Sequence, residues 1–340
     1  MFATHCNNAV RQTRVTMTKT LTEEQFRQYE GIINEVERLR NLTRKEKERI
    51  IRNVFERTYI DLTCDWAFKH VFGNHPDILM MLLNDILPET IVRVEYDTNE
   101  IDRESARDKN IIMDVFCHTS DGRRFVVEMQ KESRDGFHQR MLYYGAARLR
   151  EQLKPGDDYA ALEPVYVICF MDHVLHHEGS VPQGKIIFAY SLREEQTGEP
   201  YWGGLYIFLC ELPRLSSPSV EGLTPQEQWF VILRNSSTFA EMPHGLDPRF
   251  SKVFEIASTR GLKKKEELQY LRAMITQEEK DSIAKANYEL GMLFGRDEGL
   301  AKGREEGRDE GRIETARQFL DAGIPAPYVA KITGIPEEKL

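Results

Sequence analysis

Asp114 stands in the run Ile111-Ile112-Met113-Asp114-Val115-Phe116, and Glu128 in Phe125-Val126-Val127-Glu128-Met129. Ionised carboxylates seldom sit inside such apolar runs unless they are paired, metal-bound or at an edge. Two of them in neighbouring β-rich runs form the strongest chemical signal in the chain. The turn between the runs, Thr119-Ser120-Asp121-Gly122-Arg123, decides whether they meet. A two-residue Asp-Gly turn pairs Asp114 with Met129 and sends the acids to opposite faces. A three-residue loop, Ser120-Asp121-Gly122 with Gly122 left-handed, pairs Asp114 with Glu128, their Cβ atoms about 5 Å apart. Like charges that close are costly unless a cation lies between them. The expectation is therefore the three-residue loop.

Gln130 lies two residues beyond Glu128, on the same face and about 7 Å along the strand. This set suits magnesium, which takes oxygen ligands, keeps several waters, and uses one or two carboxylates with a substrate phosphate. Manganese is the alternative ion, and the Met129 carbonyl is a further candidate ligand. A metal there would polarise a scissile phosphate and lower the pKa of an attacking water. The competing reading is a hairpin whose acids simply face solvent at a sheet edge.

The elements that must position these residues follow from periodicity. Thr22 with Gln25 and Thr43 with Glu46 read as capping boxes, opening helices that run to about Leu39 and Arg57. Asp65 to Phe72 reads as a short amphipathic helix ending at Gly73, and Pro76 to Leu87 as an apolar one. The period then changes: Ile91–Tyr96, Ile111–His118 and Phe125–Gln130 are strand-like. Ser133–Leu153 reads as a long helix. Pro164–Phe170, Lys185–Tyr190 and Leu205–Glu211 read as further strands. Val165–Phe170 is nearly all apolar, as a central strand covered on both faces would be. After Pro225 the pattern is helical. The expected fold is α/β, a mixed sheet flanked by helices with helical N- and C-terminal extensions. The expected parts are a helical extension over 1–57 with its first twenty or so residues disordered, a core over 58–235, and a helical region over 236–340.

No apolar run approaches the roughly 20 residues that span a membrane, and the first twenty residues carry no signal-peptide core. Five widely spaced cysteines without a CxxC argue against a disulfide framework or zinc site. Cys117, Cys169 and Cys210 read as small core residues. A cytoplasmic protein is expected. The net charge of −9 argues against a simple basic DNA-coating protein, yet Arg123–Lys154 is locally basic beside the acids. His173, His176 and His177 read as part of a surface loop before Gly179, and no G-x-S-x-G, Walker or H-E-x-x-H motif points to another hydrolase.

Asp114, the hairpin and Glu128-Met129-Gln130 together resemble the PD-(D/E)XK nuclease superfamily. With Gln in the lysine position, the chain resembles the Rpn family of recombination-promoting nucleases and putative transposases, the PD-(D/E)XK family transposases. Asp65-Trp66-Ala67-Phe68-Lys69-His70-Val71-Phe72 is similar to that family's D-x-x-F-K-x-x-F helix, and Arg140-Met141-Leu142-Tyr143-Tyr144 to its helix after the active-site strand. The glycines from Gly295 to Gly311, one in every four residues, are similar to its C-terminal region. The likeness runs from about residue 58 to the end.

The resemblance implies a restriction-endonuclease-like core and magnesium-dependent cleavage of DNA. It places Asp114 and Glu128 as metal ligands, Gln130 at the third motif position, and Asp65 as the acid of the first core helix. Asp65 and Lys69 also form an i,i+4 pair that could serve the helix alone. Glutamine offers hydrogen bonds where lysine brings charge, so Lys69, Lys131 or Arg140 would have to supply that charge. Gln139 with Tyr143 fits the Q-x-x-x-Y pattern of RecB-like members, or is ordinary helix surface. A catalytically weak DNA-binding or oligomerising relative is the alternative.

Glycines at 291, 295, 299, 303, 307 and 311 each cost a helix roughly 1 kcal/mol relative to alanine. A four-residue step turns about 400°, so the row drifts around an undistorted helix and forms no straight seam. Close crossing over a few turns, as in a homodimer through C-terminal helices, stands beside a solvated charged helix as the two readings. The stretch from Thr315 to Pro336 resembles a helix-turn-helix fragment but ends too early for a recognition helix.

Overall fold

The computed structural model describes residues 21–98, 100–101, 111–132, 135–177, 179–215 and 219–339. The chain divides into two units, one ending at Gln277 and the other comprising Glu278–Leu340.

Among the described residues the first unit begins with α1 (Glu23–Asn34), α2 (Glu37–Arg40) and α3 (Arg44–Phe55); the disorder expected over the first twenty residues falls outside them. Both expected capping boxes form: Thr22 and Thr43 accept from the N–H groups of Gln25 and Glu46, whose side chains reach back. Phe26, Tyr29 and Ile33 of α1 and Ile51 and Val54 of α3 are buried in the same core as the sheet. Next come α4 (Asp65–Phe72) and α5 (Pro76–Ile86), the latter started by a proline at its first turn, where no N–H is needed.

The strands are β1 (Val94–Tyr96), β2 (Glu100–Ile101), β3 (Ile111–Ile112), β4 (Val115–Thr119) and β5 (Arg124–Gln130). After α6 (Phe137–Arg150) follow β6 (Val165–Met171), β7 (Ile187–Ser191) and β8 (Leu205–Glu211). Six of them form one mixed sheet in the order β1-β4-β5-β6-β8-β7. β5, β6 and β8 run parallel at its centre, with antiparallel partners on both sides. Every residue of β6 is buried, as its uninterrupted apolar run requires.

The two faces have different covers. Val115, Cys117, Phe125, Val127 and Met129 share a core with α4, α5 and the later helices α7 (Pro225–Asn235) and α8 (Ser251–Ile256). Phe116, Val126, Val167 and Cys169 face the other way, onto Phe137 and Met141 of α6. α6 approaches closely because Gly145 has no side chain. A Cβ there would stand 2.5 Å from a Leu205 methyl and 3.2 Å from a Val167 methyl.

The strand expected over Ile111–His118 is two strands. β3 pairs with β2 in a separate two-stranded ladder, β4 joins the main sheet, and the chain bends at Asp114 between them. A buried acid in mid-ladder would have to leave its charge among apolar neighbours. The bend instead takes Asp114 out of the strand and lets it meet groups from more than one element. The long helix expected from Ser133 begins at Phe137, after Gly136 in the left-handed conformation with φ 72°.

α9 (Lys264–Asp321) is a single helix of 58 residues. In the second unit, Gly323 turns the chain with φ 80° and α10 (Ala326–Thr333) follows, so the helices expected around that glycine turn are present. There Ala316 and Val329 are buried, and Arg312 donates to the Thr333 carbonyl. No described helix is long and apolar enough to cross a membrane.

Candidate active site

The loop between β4 and β5 has the expected odd length. Thr119 N–H donates to the Arg123 carbonyl, leaving Ser120, Asp121 and Gly122 outside the ladder, and Gly122 has φ 88°. Val115 therefore pairs with Val127 and Phe116 with Val126. Continuing that register by one residue sets Asp114 opposite Glu128.

The Glu128 carboxylate is held by the Asp114 main chain, and the Asp114 carboxylate by the main chain of Met129, the residue after Glu128. Asp114 N–H donates to Glu128 Oε1 at 3.0 Å, and Met129 N–H donates to Asp114 Oδ2 at 2.8 Å. Both residues are buried, 9% and 6% exposed. Burial pushes the Asp114 carboxyl up to about 7, helped by a hydrogen bond with Asp65 and opposed by Lys69. Burial, then the Asp114 charge, raises Glu128 well above the carboxylate range. The cause is shared: two like charges brought together away from water.

α4 adds two more groups. Its apolar stripe, Ala67, Phe68, Val71 and Phe72, packs inward. Phe68 lies 6.2 Å from the ring of Phe170 on β6. That anchors the helix and leaves Asp65 and Lys69, one turn apart, beside Asp114. Lys69 Nζ lies 2.8 Å from Asp65 Oδ1 and 3.2 Å from Asp114 Oδ1. Burial opposes the Lys69 charge, but the two carboxylates together hold its pKa above the ordinary lysine value.

α6 adds a third group. Arg140 Nη2 donates to Gln130 Oε1, so the last residue of β5 is tied to the crossover helix. Tyr144, one turn further on, is half-buried against the core under α6, and burial, then the Glu128 charge, raises its pKa.

Among the described residues no three His, Cys, Asp or Glu side chains converge to hold a metal ion by themselves. A cation that takes few protein ligands and keeps its water could be held by fewer groups. A divalent ion would offset the repulsion that raises both acids. Asp114, Glu128 and the Met129 main chain are the groups in place to hold one.

The family described as PD-(D/E)XK nuclease family transposase matches residues 62–288. The chain belongs to this family. No curated protein and no solved structure matches it. Membership fits the mixed sheet with an acid hairpin at its heart. The match begins just before α4, and so takes in both acids, Gln130 and α6.

Of the candidate residues, the fold of this family member brings together Asp65, Lys69, Asp114, Glu128, Met129, Gln130 and Arg140. Lys131 points elsewhere, its Nζ 3.9 Å from Asp61. Gln139 is exposed and Tyr143 is 46% exposed, both on the outer side of α6. The i,i+4 pair on the inward side of α6 is Arg140 with Tyr144, one residue along from the expected pair. The signal was present in the sequence: Phe137, Met141, Tyr144 and Arg148 repeat at helical spacing and mark the inward side.

The histidine loop also needs correction. His176 is exposed, but His177 is drawn inward, its Nε2 2.6 Å from Oε1 of the fully buried Glu211 and its ring stacked on Phe188. Arg214 completes the neutralisation of Glu211. Glu211 ends a run too apolar to betray a buried acid, so nothing in sequence spacing linked it to His177. The three expected core cysteines are buried, as is Cys64.

Proposed function

We propose that this family member is a magnesium-dependent DNA endonuclease, cutting phosphodiester bonds with low sequence specificity in recombination or transposition. The observation that carries this reading is the reciprocal locking of Asp114 and Glu128. Fixing two mutually repelling carboxylates on the main chain of the facing strand segment is costly for stability alone, and it is the arrangement a divalent cation would relieve. Asp114, Glu128 and the Met129 carbonyl would hold magnesium or manganese, which supplies Lewis-acid polarisation of the phosphate and an activated water.

The chain's own groups contribute preorganised electrostatics. Lys69 fixes Asp114 and Asp65. The two backbone hydrogen bonds fix one oxygen of each acid, so neither carboxylate must reorganise when substrate arrives. Gln130, its carbonyl engaged by Arg140, keeps its amide N–H donors for a phosphate oxygen or a water. The sequence carries no motif that reads base identity, in keeping with the proposed low specificity.

The test is magnesium-dependent nicking of supercoiled plasmid by the wild type, Asp114→Ala and Glu128→Ala. Cleavage by the wild type and loss in both variants is expected. Equal activity in all three rejects the site. DNA binding without cleavage by the wild type would favour a catalytically weak relative.

A further inference from the structure

The third motif position holds Gln130, which is neutral, and three cations lie near enough to be considered in its place. Lys69 is already matched by two carboxylates, at 2.8 and 3.2 Å. Lys131 leans toward Asp61. Arg140 differs from both: among the described residues it forms no ion pair. Its one hydrogen-bond partner is the Gln130 carbonyl, its Nε is buried without an acceptor, and its guanidinium lies 5.8 Å from the centre of the Phe137 ring. The Glu128 charge acts on Arg140 without a direct ion pair, so most of the guanidinium N–H groups of this partly buried side chain stay unmatched, which is costly. It is also the group best shaped to grip a phosphate with two parallel hydrogen bonds.

We infer that Arg140 is the phosphate-binding cation of this site, supplying across the helix–strand contact with Gln130 the positive charge that Gln130 itself lacks. The inference rests on the endonuclease reading for its catalytic consequence, but not for the phosphate contact. Arg140 plays two parts. By donating to Oε1 it fixes which way the Gln130 amide faces. The N–H groups of Nη1 and the second N–H of Nη2 are left to grip the non-bridging oxygens of the DNA backbone. No bond to the protein is made or broken, and the contribution is charge placed where the phosphate gains it.

Two arms test this. The first measures binding of a short duplex in EDTA across a salt series for the wild type, Arg140→Gln and Arg140→Lys, after circular dichroism shows that each is folded. Loss of one phosphate contact flattens the slope of log affinity against log salt by about 0.9. Arg140→Gln should show that change and Arg140→Lys should not. The second arm measures magnesium-dependent plasmid cleavage. Arg140→Gln should lower kcat by about 100-fold, the cost of removing one transition-state donor, with Gln130→Lys restoring at least part of it in the double variant. An unchanged salt slope in Arg140→Gln overturns the proposal. So does a fall in cleavage that neither Arg140→Lys nor Gln130→Lys rescues. Absence of cleavage by the wild type would sink the endonuclease reading instead, and the binding arm would still decide the role of Arg140.

Discussion

Lys69 Nζ bridges from α4 to Asp114, 3.2 Å from Oδ1, while Oδ2 of the same carboxylate accepts the N–H of Met129. Both oxygens of one buried acid are thus occupied, by a side chain from the helix and by the main chain of the strand. Replacing Lys69 by Met removes the charge that opposes protonation of Asp114. The expected result is weaker binding of Mn2+ near neutral pH, by about tenfold or more, recovered in part as the pH is raised. Calorimetric titration at pH 6.5 and 8.5 checks this. Affinity equal to the wild type at both would show that Lys69 serves only its helix.

The pH dependence of stability follows from the same acid. The folded Asp114 carboxyl titrates at about 7 against an ordinary 3.8. The folded state therefore holds this proton more tightly than the unfolded chain does. Its contribution is present below about pH 4 and is lost as pH rises towards 7. Asp114→Asn, which cannot ionise, should gain stability relative to the wild type over that range, on the order of 1–4 kcal/mol. Urea unfolding in EDTA at several pH values measures the difference. A constant difference would mean that the acid is not held against its charge.

Magnesium should stabilise the folded chain by mass action, since the unfolded chain has no site. At a concentration about 100 times Kd the gain is about 2.7 kcal/mol. A rise in Tm with magnesium at pH 8, absent in Glu128→Ala, is the expected thermal-shift result. An identical rise in that variant would place the ion elsewhere.

The three-residue loop can be tested through Gly122. Its φ of 88° is unfavourable for any side chain, and a Cβ would come within 2.7 Å of Glu163 Cγ. Gly122→Ala should cost roughly 1–3 kcal/mol. Deleting Ser120 has a sharper consequence: a two-residue turn shifts the register by one and sends the acids to opposite faces. Loss of Mn2+ binding with the fold retained is expected. Retained binding would mean that the acids need not share a face.

Tyr143 and Tyr144 are adjacent and face different ways. Tyr143→Ala should leave magnesium binding and plasmid cleavage within about twofold of the wild type. Tyr144→Phe, on the inward side of α6, should reduce cleavage further than that. The reverse order would restore the pattern first expected from Gln139 and Tyr143.

The sequence by itself determined the elements that depend on short-range rules. Alternation and apolar runs marked β5, β6 and β8, since a strand's environment is written into its own residues. Capping boxes marked α1 and α3 because the two partners lie three residues apart. Parity in the β4–β5 hairpin required an odd loop, so the meeting of Asp114 and Glu128 was legible before any coordinates. What crosses between elements was not legible. The bend at Asp114, the reach of Lys69, the side of α6 that faces the acids and the pairing of His177 with Glu211 all depend on how separate elements pack. Packing sums many weak contacts spread along the chain, and no local spacing records that sum. Only the tertiary structure could decide that Lys69 answers Asp114, that Arg140 answers Gln130, and that Lys131 answers neither.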